Sequence, residues 1–229
     1  MSQHTRTSER AMPSRFRLRL VFKPLVAVVA KGMARRGITP NQATGFMCLF
    51  SIACLAYFLL VPLNWATMIG WAALVFVTGV MDGVDGAIAR SMNLKTRFGG
   101  VLDSSMDRIS DAVIFFTPAM RELLLGDLVA SSWLRIPFLE IVPFWAWSLL
   151  LVMGAYMTSY LRARVTLAEP TTDVDVGLLG RSERLFIVVV ASACNVVPLS
   201  VIVLSILTNL TALFRIKDAR ARLAGKKSG

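Results

Sequence analysis

Six apolar stretches, roughly 42–63, 66–89, 98–124, 140–163, 180–198 and 199–216, fill most of this 229-residue chain and leave few folds open to it. Each of the first four is long enough to cross about 30 Å of hydrocarbon at ~1.5 Å per residue. The fifth is short in its apolar part, 184–198, and is expected to extend back towards Gly180 outside the bilayer core. Hydrocarbon offers no water to backbone N–H and C=O groups, so segments of this kind satisfy them internally, as helices. A hydrophobic fraction of 55% and a mean hydropathy of +0.63 agree, and nothing resembles a second, soluble domain. The expectation is an all-α integral membrane protein with six transmembrane helices in a single domain over 15–216.

The net charge of +11 could suggest a nucleic-acid partner, but its distribution argues otherwise. Of the 25 Lys and Arg, 22 lie before residue 42, at Arg90, Lys95 and Arg97, at Arg162, Arg164, Arg181 and Arg184, or from Arg215 onward. Those are alternate connections, which an even number of crossings places on one side. The opposite turns, 61–65 and 195–199, carry none. This is the positive-inside pattern, so both termini and the charged loops are expected to face the cytoplasm from a cell membrane. The basic excess then reads as topology plus attraction to anionic membrane lipid. Residues 1–14 read as a flexible basic tail and 217–229 as a basic cytoplasmic tail. Residues 15–36 read as an amphipathic helix lying on the cytoplasmic leaflet. Cys48, Cys54 and Cys194 are too few and scattered for a disulfide framework, and His4 is set aside as part of the tail.

Five aspartates interrupt the apolar pattern, as Asp82-x2-Asp85 and Asp103-x3-Asp107-x3-Asp111. A carboxylate at the centre of a membrane helix costs roughly 2.5–3.5 kcal/mol even on the gentler scales. Spacings of three and four put each group on one helix face. Asp82 and the Asp103–Asp111 group flank one charged loop, so they come to similar depth on two antiparallel helices, and four carboxylates can converge across one seam. Gly79-x3-Gly83 is a small-residue packing pattern that would narrow the same seam. Clustered hard oxygen ligands call for a divalent cation such as Mg²⁺. The bland alternative pairs the aspartates with Arg90, Arg97 or Arg108, but four carboxylates outnumber those partners. A cation or proton transporter is a remoter alternative. It would place acidic or broken segments in two related halves, whereas the later spans hold a single Glu183 near their edge.

The run Asp82-x2-Asp85-Gly86-x2-Ala89-Arg90-x8-Gly99-x3-Asp103-x3-Asp107 resembles the full signature of the CDP-alcohol phosphotransferase family. That resemblance implies six transmembrane helices behind an N-terminal interfacial helix, and transfer of a substituted phosphate from a CDP-linked lipid to an acceptor alcohol with release of CMP. It implies Asp82, Asp85, Asp103 and Asp107 as ligands of two Mg²⁺ ions, with Mn²⁺ as a substitute, and Asp107 also as general base. It further implies contacts to the CDP-lipid from Gly86, Arg90 and Thr96, and from Asn41, Gln42, Ala43 and Thr44 in the segment Gly37-Ile-Thr-Pro40-Asn41-Gln-Ala-Thr44. Pro40 and Asn41 read equally well as a helix start. Asp111 lies outside the signature and reads as a partner to an arginine or to a ligand. By weak analogy with the family, a homodimer is also expected.

A second constellation, Ser159-Tyr160-Leu-Arg162-Ala-Arg164 followed by Gly180-Arg181-Ser-Glu183-Arg184, flanks the next charged loop. Paired arginines can hold a phosphate dianion, though as solvated charges they would be ordinary for a cytoplasmic loop. These segments are similar to family members making phosphatidylinositol phosphate or archaetidylinositol phosphate. That similarity implies Arg162, Arg181 and Arg215 as the acceptor-phosphate site and inositol 1-phosphate as acceptor. Arg162 stands where those members carry Lys, which keeps the charge and changes the contact geometry. The alternative acceptor is glycerol 3-phosphate, another phosphorylated polyol.

Overall fold

The computed structural model describes residues 21–134, 136, 141–168 and 179–224. Among them the chain is helical and has no strands: α1 (Lys23–Arg35), α2 (Pro40–Leu60), α3 (Trp65–Ser91), α4 (Arg97–Leu125), the short α5 (Leu128–Ser131), α6 (Phe144–Ala168), α7 (Arg181–Ala193) and α8 (Val197–Ala224). The expected tail at 1–14, the start of the interfacial helix and residues 169–178 of the last charged loop lie outside the described residues.

Local chemistry explains the breaks. Thr39 caps α2 in a reciprocal box with Gln42, and Pro40 occupies the first turn, where no N–H is needed. Asn64 accepts from Thr67 N at 2.9 Å to start α3, and Thr96 accepts from Gly99 N at 2.9 Å to start α4. Gly126, at φ +65°, ends α4 in the left-handed conformation that glycine adopts without a Cβ clash.

The helices close into a ring. Helix α2 packs against α3 and α4, α3 against α7, α7 against α8, α8 against α6, and α6 against α4, while α1 lies across α3. One apolar core, around Phe58, Trp71, Ile114, Phe115, Leu151 and Leu204, joins helices from across the ring. A smaller one, with Ala30, Ala43, Met47, Val84 and Ile88, seats α1 and α2 on α3. Buried hydroxyls within the ring, such as Thr78, Thr117, Ser192 and Thr211, donate to carbonyls of their own helices. The outer surface is apolar, with Leu49, Ile52, Ile69, Val101, Leu123, Leu149, Met153, Ile206 and Leu213 exposed, a surface suited to lipid rather than water.

Among the described residues, four helices are long and apolar enough to cross a membrane: α2, α3, α6 and α8. Helix α4 is long enough at 29 residues but carries the aspartates, Arg108, Arg121 and Glu122. Helix α7 has 13 residues, about 20 Å at ~1.5 Å each, short of the ~30 Å hydrocarbon core. The apolar stretch expected from 140 is helical from Phe144, and the last helix begins at Val197 and continues past 216 to Ala224.

Two sequence expectations are corrected by the packing. The helices carrying the aspartates, α3 and α4, touch only briefly, because α2 packs along both. Gly79 and Gly83 do not narrow a seam between them. A Cβ on Gly79 would meet Leu185 of α7 at 3.4 Å, and one on Gly83 would meet Val26 of α1 at 3.2 Å.

Candidate active site

Three carboxylates meet inside the ring. Asp82 from α3 and Asp103 and Asp107 from α4 each offer an oxygen within 4.8 Å of the others. Two oxygens on opposite sides of one Mg²⁺ stand about 4.2 Å apart, twice the ~2.1 Å bond. Small side-chain adjustments would therefore bring all three onto a hard divalent cation, and an all-carboxylate donor set suits Mg²⁺ or Mn²⁺. Asp85 stands outside this trio. Its buried Oδ2 accepts a hydrogen bond from Thr44 Oγ1 at 2.6 Å, which ties the start of α2 to α3.

Partners of the aspartates come from a helix 70 to 99 residues further along the chain. Arg181, at the first turn of α7, donates from Nη1 to Asp82 Oδ1 and, at 2.5 Å, to Asp107 Oδ1. Its Nε donates to Asp111 Oδ1 at 2.7 Å. Arg184, one turn on, donates from Nη2 to Asp111 Oδ2 at 3.2 Å and from Nη1 to Thr158 Oγ1 at 3.3 Å. Its guanidinium lies over the Phe115 ring. Arg215 of α8 donates from Nη1 to the Thr158 carbonyl at 2.5 Å. Of the three partners expected from sequence, Arg108 pairs with this cluster, to Asp107 Oδ2 at 3.4 Å. The principal partners are Arg181 and Arg184, because the ring carries α7 to the inner faces of α3 and α4.

The segment at the start of α2 stands beside this cluster. A Cβ on Gly99 would meet Thr96 Oγ1 at 2.9 Å and Asn41 Oδ1 at 3.6 Å, so Asn41, Thr96 and Gly99 form one close junction. Arg90 folds back over its own helix, where a Cβ on Gly86 would stand 3.2 Å from Nη1. The Gln42 side chain accepts from Thr39 N at 2.9 Å, and Ala43 is fully buried in the smaller core. Arg162 is exposed on α6 and shares no hydrogen bond or ion pair with the other arginines among the described residues. Arg184, named in the Gly180–Arg184 constellation but not placed in the acceptor-phosphate set, and Thr158, not selected from the sequence, are members of this polar cluster. The available signal for Arg184 was its spacing of three from Arg181; Thr158 had none, since its partners lie on other helices.

Relatives of this chain fit the same picture. It is 34% identical over 195 residues to the archaetidylinositol phosphate synthase of Pyrococcus horikoshii, covering 85% of this chain and 90% of that one. Its fold is shared by a crystal structure of Mycobacterium tuberculosis phosphatidylinositol phosphate synthase with CDP-DAG bound, at a TM-score of 0.66 and 22% identity, over 86% of this chain and 94% of that one. A second structure of the mycobacterial enzyme, in complex with manganese and citrate, matches at a TM-score of 0.64 and 24% identity, over 85% and 88%. Residues 38–215, which contain every side chain of the cluster above, match the model of one family, and the chain belongs to it: it is a CDP-alcohol phosphatidyltransferase, a transferase of phospholipid biosynthesis.

Proposed function

We propose that this protein transfers the lipid phosphate group of a CDP-linked lipid, CDP-diacylglycerol or CDP-archaeol, to inositol 1-phosphate and releases CMP. The observation that carries the acceptor is the arginine group beside the carboxylate trio. Arg181, Arg184 and Arg215 converge within hydrogen-bonding distance of shared partners, next to the side chain proposed as base. A phosphorylated polyol gives those guanidinium groups a dianion to hold; an unphosphorylated acceptor such as serine gives them none. The names of the archaeal and mycobacterial relatives point the same way.

Asp82, Asp103 and Asp107 would hold the divalent cation, with Asp85 completing the set for a second, and Mg²⁺ or Mn²⁺ fits this oxygen chemistry; manganese is present in a relative's structure. Bound there, such cations would supply neutralising charge to the diphosphate and polarise the phosphorus. Arg90, at Gly86, would hold the diphosphate with its guanidinium fork, and Asn41, Thr44 and Thr96 would border the nucleotide. Arg181 and Arg215 would hold the acceptor phosphate, with Arg162 at its outer edge. Asp107 then takes the proton of the acceptor hydroxyl, the freed oxygen bonds to the phosphorus that carries the lipid, and the bond from that phosphorus to the CMP oxygen breaks. In a bilayer, α4 and α7 would join the four apolar helices to make six spans, with α7, about 20 Å long, crossing where the hydrocarbon is locally thinned. Both termini and the site then face the cytoplasm, and α1 lies at the interface.

The deciding measurement is CMP release by the purified chain with CDP-lipid and Mg²⁺, offering inositol 1-phosphate and glycerol 3-phosphate separately. Release with inositol 1-phosphate is expected. Release with glycerol 3-phosphate alone would replace the acceptor, and release with neither would remove it.

A further inference from the structure

Asp111 is the one carboxylate of the group that the family signature leaves without a task. It is 5% exposed, and both of its oxygens are engaged by different arginines. Oδ1 takes Arg181 Nε and Oδ2 takes Arg184 Nη2, so one rigid carboxylate sets the relative orientation of two guanidinium planes one helical turn apart. From Arg184 the network continues through Thr158 to Arg215. Arg181 also pairs with Asp82 and Asp107, while Arg184 and Arg215 share Thr158, so the network that Asp111 anchors sets three guanidinium groups beside the carboxylates, a place where a phosphate dianion finds cationic donors. Engaging Arg181 through Nε matters, because it leaves the two terminal nitrogens directed past Asp111 towards Asp107. Arg184 adds an independent sign. Its Nε is buried and has no hydrogen-bond partner among the described residues, where buried polar atoms are normally satisfied.

We propose that Asp111 is a positioning residue for the acceptor: it holds Arg181 and Arg184 as a two-arginine fork that receives the acceptor's phosphate and aims its hydroxyl at Asp107. This rests on the reading that the acceptor is phosphorylated, and it adds both Asp111 and Arg184 to the specificity-determining set. A carboxylate serving only to neutralise buried charge would need one arginine, and its loss would lower stability without favouring one substrate over the other.

The test is Asp111→Asn in the full-length protein, which keeps the side-chain shape and removes the charge that holds both guanidinium groups. Steady-state CMP release is measured with the phosphorylated acceptor that the wild type uses, varying each substrate in turn. The expected result is a KM for the acceptor raised at least tenfold, with the KM for the CDP-lipid within twofold of wild type. Equal changes in both, or a fall in the amount of active enzyme with both KM values unchanged, would overturn the proposal. If Asp111→Asn fails to fold, Arg184→Lys carries the same test, since the ammonium keeps the charge but not the fork, and the same split is required of it. Should the wild type turn over neither phosphorylated acceptor, the functional reading fails by itself. The fork is then tested by thermal protection with inorganic phosphate. Protection of the wild type that is lost in the variant supports it, and protection equal in both, or absent from both, refutes it.

Discussion

Replacing Thr44 by Val keeps the shape of the side chain and removes one hydroxyl, at a point where that hydroxyl links the start of α2 to Asp85 of α3. Thr44 is 3% exposed and Asp85 5%, so water does not replace what is lost. The hydroxyl has one proton and two acceptors in reach, the Pro40 carbonyl at 3.2 Å and Asp85 Oδ2 at 2.6 Å. The shorter, charge-assisted contact takes the proton. A hydrogen bond to a charged group contributes about 1.5–3 kcal/mol, and its loss leaves a buried carboxylate oxygen without that donor. At about 1.4 kcal/mol per decade this is roughly a 10- to 150-fold effect on whatever equilibrium depends on the Asp85 geometry. Loss of a hydrogen bond that orients a metal ligand typically costs about 10–100-fold in metal affinity, the same range. The measurement is the half-saturating Mn²⁺ concentration for CMP release in chelator-buffered solution, with the thermal unfolding midpoint recorded beside it. Thr44→Val should raise that concentration at least tenfold, and Thr44→Ser, which keeps the hydroxyl, should stay near wild type. A Thr44→Val protein with unchanged Mn²⁺ dependence and unchanged unfolding would show that the bond orients nothing of consequence.

Three further outcomes follow from the same geometry. Asp107→Asn should lower turnover at least a thousandfold while the folded protein remains, read by CMP release and by size-exclusion behaviour in detergent; full activity would remove the general-base role. Chelation with EDTA should abolish CMP release, and added Mg²⁺ or Mn²⁺ should restore it; activity that persists in chelator would refute the metal assignment of the carboxylate trio. Arg121 lies at the far end of α4, buried, with Nε and Nη2 on Asp127 at 2.8 and 2.6 Å and Nη1 on the carbonyls of Phe58 and Val61. Arg121→Leu should destabilise by about 2–5 kcal/mol, chiefly by stranding the carbonyls at the end of α2. Thermal unfolding should show it as a lowered midpoint, while the KM values of the molecules that fold stay unchanged.

Much of the molecule is legible from local chemistry. The apolar stretches locate α2, α3, α6 and α8 because a helix crossing hydrocarbon needs length and apolar character, both of which are written locally. Thr39, Asn64 and Thr96 mark helix starts for the same reason: a capping side chain acts within three residues of itself. The spacing of Asp103 and Asp107 places them on one face of α4, and a single face is a property of a single helix.

The cross-chain pairings were a different matter. Arg90, Arg97 and Arg108 were the partners available nearby in sequence, and Arg108 does reach Asp107, but the close contacts to Asp82, Asp107 and Asp111 come from Arg181 and Arg184 because the ring carries α7 to them. Gly79 and Gly83 belong to a packing motif, yet the motif does not say which helix it meets, and it met α7 and α1 rather than α4. Asp85 carried the same expectation as Asp82, and only the approach of α2 turned it towards Thr44. From the order of residues alone came the membrane setting, the long apolar helices and the carboxylate pattern of the site, since periodicity, capping and side-chain spacing act over a few residues. Tertiary structure alone decided which charges meet and that Asp111 joins two arginines, because a ring of helices brings together side chains that no short-range rule connects.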